Sequence, residues 1–388
     1  MTLGTFRSKM LVRVLVAIVL GILCSLFFPV WAVRVFLTFN SIFGNFLGMF
    51  IPVLIIGLVA PGIADLGKGA GRLLLITVAL AYASTVLVGM GTLFTCRWTF
   101  PSLLGGASLA SASAISNTLT PFFTVGMPPF LSVTTALVLA FVIGLAMTAI
   151  ENPTRLMFNI RELVYLVITK VIVPCLPLFV FGIFLQIGAE GKVAPVLGLF
   201  SKVVLVILVL HVAVLVLQFC IAGAVAGVNP FKALKGMLPA YVTALGTQSS
   251  AATIPVTLRC AKGIGVDGTI ADFTVPLCAT IHLSCSVLKI TACAFAIVFT
   301  TGMSVSLETL VGFVFLLSIT MVAAPGVPGG AIMAALGLLA DCLGFTPDQQ
   351  GLMVALYIAL DSFGTAGNVT GDGAISLIVD KIWRKRKE

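Results

Sequence analysis

The chain has 388 residues, of which 60% are hydrophobic and 9% charged, with a formal net charge of +9 and a mean hydropathy of +1.21. A soluble domain carries charge on about a quarter of its residues, so the composition excludes a soluble globular enzyme or binding domain. No charged residue falls between Arg13 and Arg34, Arg34 and Asp65, Arg72 and Arg97, or Lys202 and Lys232. Each gap holds the roughly 20 apolar residues that cross a bilayer as a helix, and the chain reads as an all-α multi-pass membrane protein.

In chain order, the first apolar run follows Arg7, Lys9 and Arg13. It is longer than the about 7–15 apolar residues of a cleaved leader, so Val14 to Val33 is read as a retained helix. Spans are predicted near 12–33, 36–64 and 72–96. Pro101 to Ile150 is uncharged and too long for one helix. Its middle, "GGASLASASAISNTLTPFFTVGMPPF" (105–130), is rich in Ser, Gly, Thr and Pro and predicts a broken span. "ENPTR" (151–155) marks a turn, spans near 162–188 and 195–227 follow, and "GVNPFK" closes them. The basic N-terminal segment, Lys68, Arg72, Arg155, Arg161 and the tail "KIWRKRKE" belong on the cytoplasmic side by the positive-inside rule. That places both termini in the cytoplasm and the protein in the cytoplasmic (inner) membrane, and explains the positive charge without nucleic acid as a partner. Nine cysteines lack paired metal-site spacing and read as small buried hydrophobes.

Beyond Lys232 short apolar segments are interrupted by "GTQSSAATIPVT" (246–257), "CATIHLSCS" (278–286) and "AAPGVPGGA" (323–331). Broken backbone at membrane depth is tolerated only where it lines a cavity or is buried in protein. Interrupted segments followed by polar-bearing helices are the pattern of a carrier with re-entrant hairpins and internal repeats; ordinary extramembrane loops are the alternative. The whole gives about eight transmembrane helices plus two re-entrant helical hairpins.

The last apolar segment carries the sharpest signal. Asp361, Thr365, Asn368 and Asp372 are spaced i, i+4, i+7 and i+11, which at ~100° per residue confines them to about 60° of arc. An Asp at the bilayer centre costs roughly 2.5–3.5 kcal/mol and usually marks an ion or substrate path. A single acid paired with a basic residue elsewhere is the bland alternative; four aligned polar residues speak for a path.

"DSFGTAGNVTGD" (361–372) resembles the last helix of the dicarboxylate/amino acid:cation symporter family, the glutamate-transporter family. "TQSSAATIPVT" is similar to that family's first hairpin tip, "PGVPGG" to its second, and "FLGMFIPVLIIGLVAPGIADLG" (46–67) to its second helix. The resemblance runs along the chain in order and is nearest to the serine/threonine-transporting branch. It implies that Asp361 takes a substrate ammonium group. Asn368, with backbone N–H groups near Ser249 and Ser250, would hold the α-carboxylate; Thr365 and Ser286 would lie beside the substrate, and Gly326 and Val327 would cover it. Asp372 would ligate sodium with carbonyls of Cys278, His282 and Asn368, and a second sodium would use carbonyls near Thr280 and Ala324. It further implies a homotrimer of elevator type. Scaffold helices would come from 1–70 and 101–192, and the transport domain from 71–100 and 193–388.

Departures from the family pattern set the expected specificity. Members carrying acidic amino acids place an arginine where this chain has Gly364, or one before the hairpin serines, where it has Gln248. Without a guanidinium an acidic side chain would be buried unpaired, so a small neutral amino acid is expected. The resemblance implies a deep sodium site with an acid on the seventh helix, but here that position is Ser284, although Tyr82 and Thr85 match part of the site. Lys289 follows His282 by seven residues, nearly on one helical face. A buried Lys289 would stand in for a lost sodium, or His282 and Lys289 would titrate and couple transport to protons; an interfacial Lys289 and a core His282 are the plain alternative. His211, alone in an apolar helix, reads as structural. The leading expectation is a sodium-coupled symporter, with a proton-coupled or acidic-substrate carrier as rival and an ion channel as the reading from another class. No catalytic constellation appears.

Overall fold

The computed structural model describes residues 3–66, 71–105, 119–148, 154–191, 193–322, 324 and 329–384. The protein is all-helical, and no strand occurs among the described residues. The first half consists of α1 (Leu3–Ser25), α2 (Val30–Leu66), α3 (Gly71–Leu104), α4 (Val133–Thr148), α5 (Thr154–Val167), α6 (Val173–Ala189) and α7 (Val193–Ala226). A π-helical turn, Ile168–Ile172, joins α5 to α6.

The break between the first two helices falls at 26–29, earlier than the sequence suggested. Pro29 cannot continue a helix as a donor, whereas Arg34, expected to separate the spans, lies inside α2. Its charge is satisfied laterally: Arg34 Nε donates to Thr120 O (2.9 Å) and the guanidinium lies 4.3 Å from the Phe122 ring centroid. Residues 119–132 are extended along α2, pinned also by Phe122 N–H to Thr38 Oγ1 (2.9 Å) and Asn45 Nδ2 to Val125 O (2.7 Å). The expected break in the 101–150 stretch is therefore present, although 106–118 lies outside the described residues.

Among the described residues five helical stretches are long and apolar enough to cross a bilayer: Val30–Phe50, Arg72–Leu104, Asn159–Ala189, Val196–Ala226 and Gly268–Thr300. Pro347–Arg384 adds a sixth as a span bent by 62°. The apolar helices Val12–Ser25 and Val138–Met147 are shorter. With these the path is that of a multi-pass membrane protein, and large apolar side chains such as Leu75, Leu205, Val209 and Val212 face outward, as lipid-facing residues should.

The second half is built from α8 (Pro230–Gly236), α9 (Leu238–Thr247), α10 (Ser250–Gly263), α11 (Gly268–Ile281), α12 (Ser284–Thr300), α13 (Leu307–Met321), α14 (Gly330–Leu343), α15 (Pro347–Ala359) and α16 (Asp361–Arg384). Local signals set these boundaries. Asn229, Asp267, Ser306 and Thr346 cap their helices with side-chain oxygens, Thr346 in a capping box with Gln349. α9 packs against α10 and α13 against α14, giving two helical hairpins. α1, α2, α4, α5 and α6 pack chiefly on one another; α16 packs on α7, α9, α10, α11 and α12, and α3 on α12 and α13. α12 and α14 to α16 are buried on nearly every face, which no lipid-facing helix would be. Of the nine free cysteines five are buried and four partly exposed, so the expectation of uniform burial holds for five.

Candidate substrate and ion site

Two interrupted spans meet two hairpin tips at one place. α11 stops at Ile281 and α12 begins at Ser284; α15 stops at Ala359 and α16 begins at Asp361. Hairpin 1 turns through Gln248, at φ 51° the one non-glycine residue with positive φ among the described residues. Gln248 Nε2 donates to Ser362 Oγ (2.7 Å). Hairpin 2 returns through Gly329 at φ 74°, and its N–H donates to Asp361 Oδ2 (2.9 Å). Both tips are thus fastened to consecutive residues at the start of α16. Between them lies a chamber with about 30 Å³ of free volume, walled by Ser249 and Ser250, Ala279 and Thr280, Ser286, Ala324, Asp361, Thr365 and Asn368.

Asp361 is buried but lines this chamber. Its second oxygen, Oδ1, lies 3.4 Å from Lys289 Nζ. Lys289 also donates to Leu360 O (3.2 Å) and sits 3.8 Å from the Tyr357 ring centroid. Carbonyl, carboxylate and ring face thus account for its three N–H donors. Lys289 is fully buried and contributes nothing to the chamber wall, so it does not snorkel to an interface. Nor does it share a continuous helical face with His282, because the chain breaks at 282–283 between them.

Asn368 joins the two broken spans. α12 has no side-chain cap of its own at Leu283, and Asn368 Oδ1 instead accepts from Cys285 N–H (2.8 Å) and Ser286 N–H (3.3 Å). Asn368 Nδ2 donates to Ser286 Oγ (3.0 Å), as does Tyr357 Oη (3.1 Å). Both acceptor positions of the Ser286 hydroxyl are filled, which leaves its hydrogen to donate. Ser249 accepts from Ala252 N–H (3.3 Å) as the cap of α10, so it acts on the backbone. Ser250 opens that helix at the chamber wall, and a helix N-terminus favours an anionic group.

Asp372 lies deeper and is 1% exposed. Its Oδ1 meets His282 Nδ1 at 3.0 Å, while its Oδ2 has no hydrogen-bond partner among the described residues. An orphaned buried carboxylate oxygen beside the end of α11 fits a hard cation, which takes carboxylate and carbonyl oxygens. Cys278 O is one such carbonyl, though it also accepts the His282 N–H (2.8 Å). Ser284, which stands where the resemblance expects an acid, belongs to a side-chain network: His282 Nε2 meets Ser84 Oγ (3.1 Å), and Gln218 Nε2 donates to Ser84 Oγ (3.1 Å) and Ser284 Oγ (3.2 Å).

Asp361, Thr365, Asn368, Ser249, Ser250, Gln248, Ser286, Thr280 and Ala324 are brought to one chamber, while Asp372 on α16 meets His282 at the end of α11, the helix that carries Cys278. Gly326 and Val327 lie outside the described residues. Gly364 is not empty space: a Cβ there would overlap Lys289 Cε and Nζ. His211 is buried edge-on to Tyr241 (5.9 Å between centroids), and a Cβ at Gly367 would overlap its ring. Sequence reasoning missed Tyr357, Ser84 and Gln218. A signal for Gln218 existed, because it follows His211 by seven residues on one face of the otherwise apolar α7.

A helical membrane protein whose two hairpin tips close on a polar chamber between broken spans is a solute carrier. The chain matches the sodium:dicarboxylate symporter family over residues 10–382 and belongs to it. It is similar to the serine/threonine transporter SstT of Acinetobacter baumannii (strain AYE), with 27% identity over 395 residues covering 96% of this chain and 97% of that protein. It is also similar to excitatory amino acid transporter 2 of Homo sapiens, with 28% identity over 237 residues covering 59% of this chain and 41% of that one. These relatives are transporters, and the protein is a carrier of this family rather than an enzyme.

Proposed function

We propose that the chain is a secondary active symporter that moves a small neutral amino acid, serine- or threonine-like, with sodium across the cytoplasmic membrane. The observation that carries this is the charge content of the chamber. One carboxylate, Asp361, lines it and would take a substrate ammonium group, and no arginine lines the wall among the described residues. Donors for a carboxylate line the same chamber, namely the N-terminus of α10, Asn368 and the Ser286 hydroxyl. The nearest cation, Lys289, is sealed behind Asp361 and already has its partners, so a second substrate carboxylate would be buried without a counter-charge. Similarity to a serine/threonine transporter supports the same substrate class. Sodium would use the free oxygen of Asp372, and coupling to protons is the alternative.

In this reading the helices of 1–70 and 101–192 form a scaffold in a homotrimer. Residues 71–100, with α3 continuing to Leu104, and 193–388 form a transport domain that slides as a unit, with both termini cytoplasmic. The test is a thermal-shift panel of the twenty amino acids with and without sodium, since a ligand of the folded state raises apparent stability. Serine, threonine or alanine is expected to raise Tm in sodium while aspartate and glutamate do not. Vesicle uptake with sodium replaced by choline at two pH values checks the ion; full sodium-free uptake driven by a proton gradient would overturn the sodium assignment.

A further inference from the structure

We propose that Lys289 is an internal stand-in for the substrate's ammonium group, neutralising Asp361 whenever the chamber is empty so that the unloaded site recrosses the membrane without a bound solute. The proposal rests on the amino-acid symporter reading above and deepens it.

An empty carrier of this kind has a problem in electrostatics. Its substrate carboxylate must be ionised to bind an amine, yet it must also cross the membrane when no amine is there. An unpaired carboxylate at membrane depth is costly. Here Asp361 is never unpaired: Lys289 Nζ lies 3.4 Å from Oδ1, and Asp361 is the one carboxylate in contact with it among the described residues. The lysine is built in rather than adventitious. Its route to Asp361 runs through the space that any side chain at position 364 would take, and Gly364 leaves that space open.

The arrangement also permits a handover. When an amine from the chamber side takes a share of Asp361, Lys289 keeps Leu360 O and the face of Tyr357. These contacts keep its donors satisfied while the shared Asp361 still supplies the counter-charge. Tyr357 in turn donates to Ser286, which lines the chamber, so occupancy of the chamber and the seat of the lysine share one side chain. Gly329 N–H remains on the other carboxylate oxygen, holding Asp361 in place during the exchange of partners.

Two transport modes separate this role from a structural one. Exchange of labelled L-serine into serine-loaded vesicles needs only the loaded site to cross, whereas net uptake into serine-free vesicles needs the empty site to return. For Lys289→Met, net uptake is expected to fall about a hundredfold while exchange stays within about threefold of the parent protein. Parallel loss of both, unchanged net uptake, or selective loss of exchange would each overturn the proposal. A second measurement needs no solute: Lys289→Met should lower Tm in sodium-free buffer, and Lys289→Met with Asp361→Asn should restore most of the loss. Additive losses would overturn the pairing. Failure of the parent protein to exchange serine would count against the amino-acid reading instead, with the thermal result still deciding whether Lys289 serves Asp361.

Discussion

Asp361 and Asp372 lie on one face of the same helix, yet their surroundings differ in kind. Asp361 opens to the chamber at the start of α16, and both its oxygens are engaged, one by Gly329 N–H and one by the Lys289 ammonium group. Asp372 is sealed a few turns on, with one oxygen on His282 and the other without a partner. The first is balanced by the protein itself, the second is left to be completed from outside. In the function proposed above, two acids that look alike in the sequence would take two tasks, one toward a solute amine and one toward a removable ion.

The largest effect should come from breaking the first pair on its solute side. Asp361→Asn leaves Lys289 buried and uncompensated, which should cost about 3–5 kcal/mol and abolish both exchange and net uptake of serine; unfolding and vesicle assays check each half. Asp372→Asn should remove the increase in Tm produced by sodium and weaken serine binding in sodium roughly tenfold, about 1.4 kcal/mol. Binding without sodium should stay as it was, and a sodium response that survived would place the ion elsewhere. Gly364→Ala pushes a methyl group into the Lys289 stem and should cost about 1–3 kcal/mol by overpacking, a cost that should vanish when the change is made in a chain already carrying Lys289→Ala. The smallest effect is expected at the hairpin 1 tip. Gln248→Gly relieves a left-handed backbone worth about 1 kcal/mol and forfeits a hydrogen bond to Ser362 of similar size, so Tm should barely move.

Much of this site's geometry is legible in the sequence. The 3.6-residue period put Asp361, Thr365, Asn368 and Asp372 on one face because they sit on one unbroken helix, and helical spacing survives folding. The serine-rich turn and the Gly/Pro cluster marked both hairpins because clustered Ser, Gly and Pro favour caps and turns over helix interiors, although Pro255 itself lies inside α10. What could not be read was whatever depends on two breaks meeting. The lysine's partner is such a case: a continuous helix would align Lys289 with His282, but the interruption at 282–283 turns them to different carboxylates. Gly364 read as a missing arginine, whereas it is the clearance for a lysine from another helix. Ser84 and Gln218 are single polar residues on α3 and α7, and their shared network appears only when those helices reach the end of α11.

Asn368 supplies the hydrogen-bond acceptor that α12 lacks at its first turn. Two segments far apart in the chain are therefore riveted at their interruptions, and pulling them apart would strip backbone donors bare in a place without water. Whatever motion carries the solute must treat both pieces as one rigid casting, so flexibility has to be sought at the hairpin tips and at the perimeter rather than in the middle.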